Sequence, residues 1–146
     1  MKTIVIIFVL ISCVTVLSNM LAGCSSGDKT TSDDNESGFY NVTAAEAHKI
    51  IQDNKADDSF AILDVRTSGE FSSGHIEGAI NIDFYGASFN DSLGKLDRDK
   101  TYMVYCHSGN RSVQTLATMK SQAFNAAYNM LGGIGKWKAQ GLLVVE

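Results

Sequence analysis

The 146-residue chain contains no proline, three cysteines, one tryptophan and no cluster of basic residues. The lack of proline has no evident physical cause. The cysteines, at 13, 24 and 106, are too scattered to form a Cys-x-x-Cys pair, which argues against a thioredoxin-like oxidoreductase. They are also too few for a Cys-rich zinc site. Lysine and arginine number 12 against 16 aspartates and glutamates, a formal net charge of −4. Nothing in that balance supports nucleic-acid binding. No repeat of fixed period occurs. The one long apolar run, Ile4 to Leu17, is short of the roughly 20 residues that span a bilayer comfortably.

That run is better read as a leader. Lys2 gives it a small positive start, and Leu21-Ala22-Gly23-Cys24 closes it with small residues before a cysteine. The closing residues resemble the lipobox of bacterial lipoproteins. The resemblance implies cleavage before Cys24 and lipidation of its sulfur and new amino group, with acyl chains such as palmitate. Each buried acyl CH₂ adds roughly 0.8 kcal/mol of membrane affinity. The protein is therefore expected to be exported and lipid-anchored to the cell membrane or outer membrane of a bacterium. Ser25 to Gly38 is almost free of apolar residues, cannot offset its chain entropy by burial, and reads as a flexible tether. An uncleaved anchor and ordinary signal cleavage are the alternatives.

Residues 39–146 are left to fold, enough for one modest core. With Lys2 removed, 11 basic residues face 16 acidic ones and the mature charge is −5. Thr43 and Glu46 have capping-box spacing, and Ala47, Ile50 and Ile51 follow at helical intervals, so a helix is expected from about 44 to 53. His48 on that helix reads as a surface residue. Phe60-Ala61-Ile62-Leu63-Asp64-Val65 reads as a strand buried on both faces. A short helix over 68–73, a strand over 79–82, an ambiguous stretch at 84–94, a strand over 101–106, a helix after it to 122, a strand over 125–130 and a turn or helix over 132–140 complete the pattern. Strands alternating with helices predict an α/β fold with a parallel sheet covered on both sides.

The chemistry concentrates in Cys106-His107-Ser108-Gly109-Asn110-Arg111, between a strand and a helix. Backbone N–H groups of such a loop, with the N-terminus of the following helix, converge on one point and attract an anion. A thiol there ionises more easily than a free cysteine, whose pKa is about 8.5. Once the leader is gone and Cys24 lipidated, Cys106 is the one thiol of the domain. The plainer reading, a buried cysteine ending a core strand, fits Gly109 and Arg111 less well. Asp64 and Arg66 lie at the end of their strand, where open α/β sheets bind ligands, and are candidates for support near the site. Arg66 is also spaced for an i, i+4 ion pair with Glu70.

Several segments together resemble the rhodanese family of sulfurtransferases. They are Asp64-Val65-Arg66, Glu70-Phe71, Gly74 to Ile82, the Cys106–Arg111 loop, Gly132-Gly133, Trp137 and Gly141-Leu142. Asp83 and Leu143 stand where that family often has proline. The resemblance implies a five-stranded parallel sheet with helices on both faces, and Cys106 as carrier of a sulfane sulfur in a persulfide. It also implies that His107, Ser108, Gly109, Asn110 and Arg111 hold the persulfide and the substrate anion. The expected partners are a small anionic sulfur donor and a thiol or cyanide acceptor, a protein thiol among the candidates, with no cofactor and no metal. Arg111 is expected to steady the loop, with Asp64 as its candidate partner. His107 either tunes access or is an exposed rim residue, and His75 is expected to pin a turn.

Two other classes remain open. The same fold could present a persulfide or dock a partner without catalysis. A cysteine phosphatase also sets a thiolate and an arginine around an anion loop, but with five residues between them. Here four intervene, a smaller loop that suits sulfur better than a phosphate ester.

Overall fold

The computed structural model describes residues 38–146. The segments expected to form the leader, the lipidated Cys24 and the tether lie outside them, apart from Gly38. The described chain runs β1 (Phe39–Val42), α1 (Ala44–Asp53), β2 (Phe60–Asp64), α2 (Ser68–Ser72), β3 (Ala79–Asn81), α3 (Phe89–Gly94), β4 (Thr101–Tyr105), α4 (Asn110–Ser121), β5 (Ala126–Met130) and α5 (Gly133–Ala139). The strands form one sheet in the order β1-β5-β4-β2-β3, and every pairing is parallel.

Side chains alternate across a strand, so each central strand feeds two cores. Leu63, Tyr102 and Val104 pack with Phe89 and Leu93 of α3 and Met119 of α4. Ile62, Met103, Tyr105 and Met130 pack with Ala47 and Ile51 of α1 and Ile134 and Trp137 of α5. Burial on both faces explains why β2 and β4 read as unbroken apolar runs. Each fully buried aliphatic or aromatic side chain contributes about 1.5–3 kcal/mol. The capping boxes at Thr43/Glu46 and Thr67/Glu70 both form, fixing the starts of α1 and α2.

Several boundaries differ from the sequence expectations. β2, β3 and β4 each end one residue early, and α4 begins at Asn110, so the last two loop residues are already helical. The ambiguous stretch at 84–94 contributes helix only from Phe89. β1 was not anticipated at all: it has four residues, and only Phe39 and Val42 are buried. His48 is half-buried rather than a surface residue, its ring edge-on to Trp137 at 5.4 Å. His75 sits in a two-residue bridge to Val145, stacked on Phe71 with ring centroids 3.7 Å apart.

At the end of β2 the structure replaces the expected Arg66–Glu70 pair with a buried one. Arg66 Nε donates to both oxygens of Asp64 at 3.0 and 2.9 Å, and its terminal nitrogen donates to Asp64 Oδ2 at 2.6 Å. The same nitrogen donates to the Gly74 carbonyl at 2.9 Å. Asp64 is 0% and Arg66 3% exposed. The i, i+4 rule belongs to helices, and Arg66 precedes the first residue of α2. In extended chain, residues two apart share a face, so Arg66 turns back onto Asp64. Burial alone would lower the Arg66 pKa, but the hydrogen bonds and charge of Asp64 outweigh it and raise it. Removing one partner leaves an uncompensated charge, so Arg66→Met should cost about 3–5 kcal/mol in denaturant unfolding. The double variant Asp64→Leu/Arg66→Met should recover much of that loss.

Candidate active site

Cys106 follows β4 directly and is 1% exposed. The chain turns sharply after it: Gly109 caps α4 with φ of +104°, in the left-handed region that favours glycine. This turn aims the Gly109 N–H at the Cys106 sulfur, 3.1 Å away. Ser112, in the first turn of α4, donates its hydroxyl towards the sulfur at 3.7 Å and also to the Gly109 carbonyl at 2.9 Å. His107, Ser108 and Asn110 are exposed around the buried sulfur.

The amides face inward because the carbonyls are taken from outside. Ile134 N–H donates to the Cys106 carbonyl at 2.8 Å, and Gly135 N–H donates to the His107 carbonyl at 3.1 Å. A peptide's N–H points opposite its C=O, so anchoring the His107 carbonyl turns the Ser108 N–H towards the sulfur. The approach is close enough to require glycine. A Cβ on Gly133 would lie 2.2 Å from the Cys106 carbonyl oxygen, and Gly133 has φ of +55°. The Gly132-Gly133 pair is thus a backing plate for the loop.

Two opposed effects set the state of the thiol. Burial pushes the Cys106 pKa up. Hydrogen bonds from the Ser112 amide and hydroxyl, and from the Gly109 and Ser108 amides, favour the thiolate and prevail, so the net shift is downward. The structure brings together Cys106, Ser108 and Gly109 from the expected set and adds Ser112. Ser112 was not singled out in the sequence, although a hydroxyl in the first turn of the helix after a cysteine loop is a readable signal.

Arg111 does not meet Asp64, which is occupied by Arg66. Its terminal nitrogens instead donate to the two carboxylate oxygens of Glu70, at 2.8 and 2.9 Å. The guanidinium also lies 5.5 Å from the Tyr85 ring centroid. Glu70 is held from behind, since Thr67 donates to it from both its N–H and its hydroxyl at 3.0 Å. The hydrogen bonds from Arg111 are the main cause that lowers the Glu70 pKa from 4.5 to about 2, against a partial burial penalty. A depressed acid stabilises the fold above its unfolded pKa. The contribution of this partly exposed pair is therefore intact at neutral pH and fades as pH falls from about 4.5 through about 2. Asp64 and Arg66 stand one strand away: Asp64 is the register partner of Tyr105, the residue before the cysteine.

The Cys106 sulfur thus sits in a cradle built largely from main-chain donors, and comparison with known proteins gives the chain a family. A model of the rhodanese-like domain matches residues 43–140. The chain belongs to the rhodanese-like family. It is 35% identical over 78 residues to a thiosulfate sulfurtransferase GlpE of Pseudomonas savastanoi pv. phaseolicola, covering 53% of this chain and 72% of that protein. It is 38% identical over 80 residues to the probable adenylyltransferase/sulfurtransferase MoeZ of Mycobacterium tuberculosis, covering 55% of this chain but only 20% of that protein. Among solved structures, a rhodanese-related protein from Thermoplasma volcanium matches with a TM-score of 0.62 and 30% identity, covering 73% of this chain and 97% of that one. Family membership supports an enzymatic, rhodanese-like identity and a sulfur-transfer role. The five-stranded parallel sheet flanked by helices is the expected fold.

The Ser112 contact has a measurable consequence. Ser112→Ala should raise the pKa of Cys106 by about 0.5–1 unit, because it removes a donor to the charged form while keeping the helix. The pH profile of iodoacetamide alkylation should shift to higher pH by that amount, with the unfolding midpoint little changed.

Proposed function

We propose that this rhodanese-like domain moves a sulfane sulfur from thiosulfate or a persulfide donor to a thiol or cyanide, with Cys106 as the covalent carrier. The observation that carries this reading is the Cys106 sulfur, buried yet 3.1 Å from the Gly109 N–H and faced by further donors. In the first half-reaction the Cys106 thiolate attacks the outer sulfur of thiosulfate. The S–S bond of the donor breaks and sulfite leaves with the bonding pair. The product is a Cys106 persulfide, whose terminal sulfur carries the negative charge. Inward N–H groups fixed before the reaction stabilise that charge without reorganisation. In the second half-reaction an acceptor nucleophile attacks the terminal sulfur and restores the Cys106 thiolate. With cyanide the product is thiocyanate. Two chemical steps separated by a covalent enzyme form give ping-pong kinetics.

In this reading His107, Ser108, Gly109, Asn110 and Arg111 form the wall around the substrate, while Asp64 and Arg66 brace the end of β2 from behind. The engagement of Arg111 by Glu70 argues against a phosphatase, which needs its arginine for the phosphate oxygens. The proposal extends to the amino terminus: residues 1–23 as a lipoprotein signal, 24–38 as the lipidated cysteine and tether, and 39–146 as the catalytic domain at a bacterial membrane. A protein thiol at that membrane is a suitable acceptor. Palmitate labelling should follow the wild-type chain into the membrane fraction and be absent from Cys24→Ala; equal labelling of both contradicts the anchor.

The decisive test of the chemistry uses the full chain in a non-ionic detergent, incubated with thiosulfate and read by intact mass. Wild type should gain one sulfur atom that Cys106→Ser does not gain, and cyanide should remove it as thiocyanate. A folded wild type that gains no sulfur from thiosulfate or from a small persulfide contradicts the proposal.

A further inference from the structure

The Arg111–Glu70 pair governs more than the rigidity of the loop. Arg111 is the second residue of α4, and its guanidinium is the one cation of the loop itself. Its charge is felt at Cys106, since the thiolate contributes to the rise in the Arg111 pKa after the larger effects of Glu70 and burial. The guanidinium is nevertheless committed. Each terminal nitrogen donates one N–H to an oxygen of Glu70, in the bidentate geometry that makes such pairs strong, so the positive charge is neutralised although other N–H groups remain. The Tyr85 ring lies alongside. Glu70 cannot swing away without breaking the cap of α2, because Thr67 holds the same carboxylate. The stem of Lys136 packs over Gly132, next to the loop, and Lys136 is exposed, so solvent screens its charge.

We propose that Glu70 determines donor choice: by taking both arms of Arg111 it leaves the mouth of the Cys106 loop without net positive charge, and the site thereby favours a neutral or monoanionic persulfide over dianionic thiosulfate. This rests on Cys106 being the sulfur carrier. The inward amides are matched to one negative charge at the sulfur. Thiosulfate brings two, and its leaving sulfite carries two, while the Arg111 guanidinium beside the loop is already neutralised by Glu70. A hydropersulfide presents a neutral sulfur. The Cys106 thiolate attacks its terminal sulfur, the donor's S–S bond breaks, a thiolate with one charge departs, and the proton stays on the new Cys106 persulfide. Neither step needs an external oxidant or reductant. Glu70 touches neither sulfur nor donor in this account and is a positioning residue that acts through Arg111.

The test measures the rate at which Cys106 gains sulfur from thiosulfate and, separately, from the persulfide of 2-mercaptoethanol, in wild type and Glu70→Gln. Glutamine retains the capping oxygen at the third position of α2 but not the charge. The substitution should raise the thiosulfate rate about tenfold and change the persulfide rate by less than about twofold. The gain with thiosulfate should vanish in high salt, a dependence that loss of packing would not produce. An unchanged ratio of the two rates overturns the inference. Wild type alone provides a second reading that needs no variant. Its thiosulfate rate should be nearly flat in salt between about 0.02 and 0.5 M, whereas a steep fall reveals a free cation at the mouth and overturns the inference. If neither donor loads Cys106 in the wild type, the sulfur-carrier reading itself fails.

Discussion

The rest of the site depends on one constraint: a buried sulfur must give up its proton more readily than burial alone allows. Burial works against this, and among the described residues no lysine or arginine donates to the sulfur. The main chain supplies most of the compensation, through N–H groups that have no partner of their own at the start of a helix, and the Ser112 hydroxyl adds to it. These groups point inward only because the carbonyls of Cys106 and His107 are anchored by the amides of Ile134 and Gly135. The anion site is therefore built by two elements at once, α4 from within and the start of α5 from outside. The glycine at 133 is the point where a side chain would break the contact.

Charge is handled in two separate layers. Behind the loop, Asp64 and Arg66 neutralise each other in the dry interior and tie the end of β2 to the Gly74 turn. In front, Glu70 and Arg111 neutralise each other at the partly exposed rim. Each arginine satisfies one carboxylate, and the two pairs do not exchange partners. What remains unneutralised at the sulfur is the directed field of the amides, which is short-ranged.

The parts of the fold set by local periodicity were legible in the chain: α1 and its cap, the buried runs of β2 and β4, and the helix after Cys106. β1 was not, because four residues with only the outer two buried show neither alternation nor a continuous apolar run. In the site, the inward amides followed from the strand–loop–helix order. The arginine partners did not. Arg66 and Glu70 have helical spacing, but only one of them lies in the helix, so the spacing misleads. Glu70 and Arg111 are 41 residues apart and meet only once α2 and α4 are both in place. The role of Ser112 depends on which way the first turn of α4 faces, which is settled by the left-handed turn at Gly109.

The most direct measurement of the account is the absolute pKa of Cys106 in the wild-type protein, followed by thiolate absorbance near the thiolate band with Cys106→Ser as the blank. If main-chain donors outweigh burial, the apparent value lies below the roughly 8.5 of a free cysteine. A value above that figure would mean that desolvation prevails, and the anion cradle as described here would be contradicted.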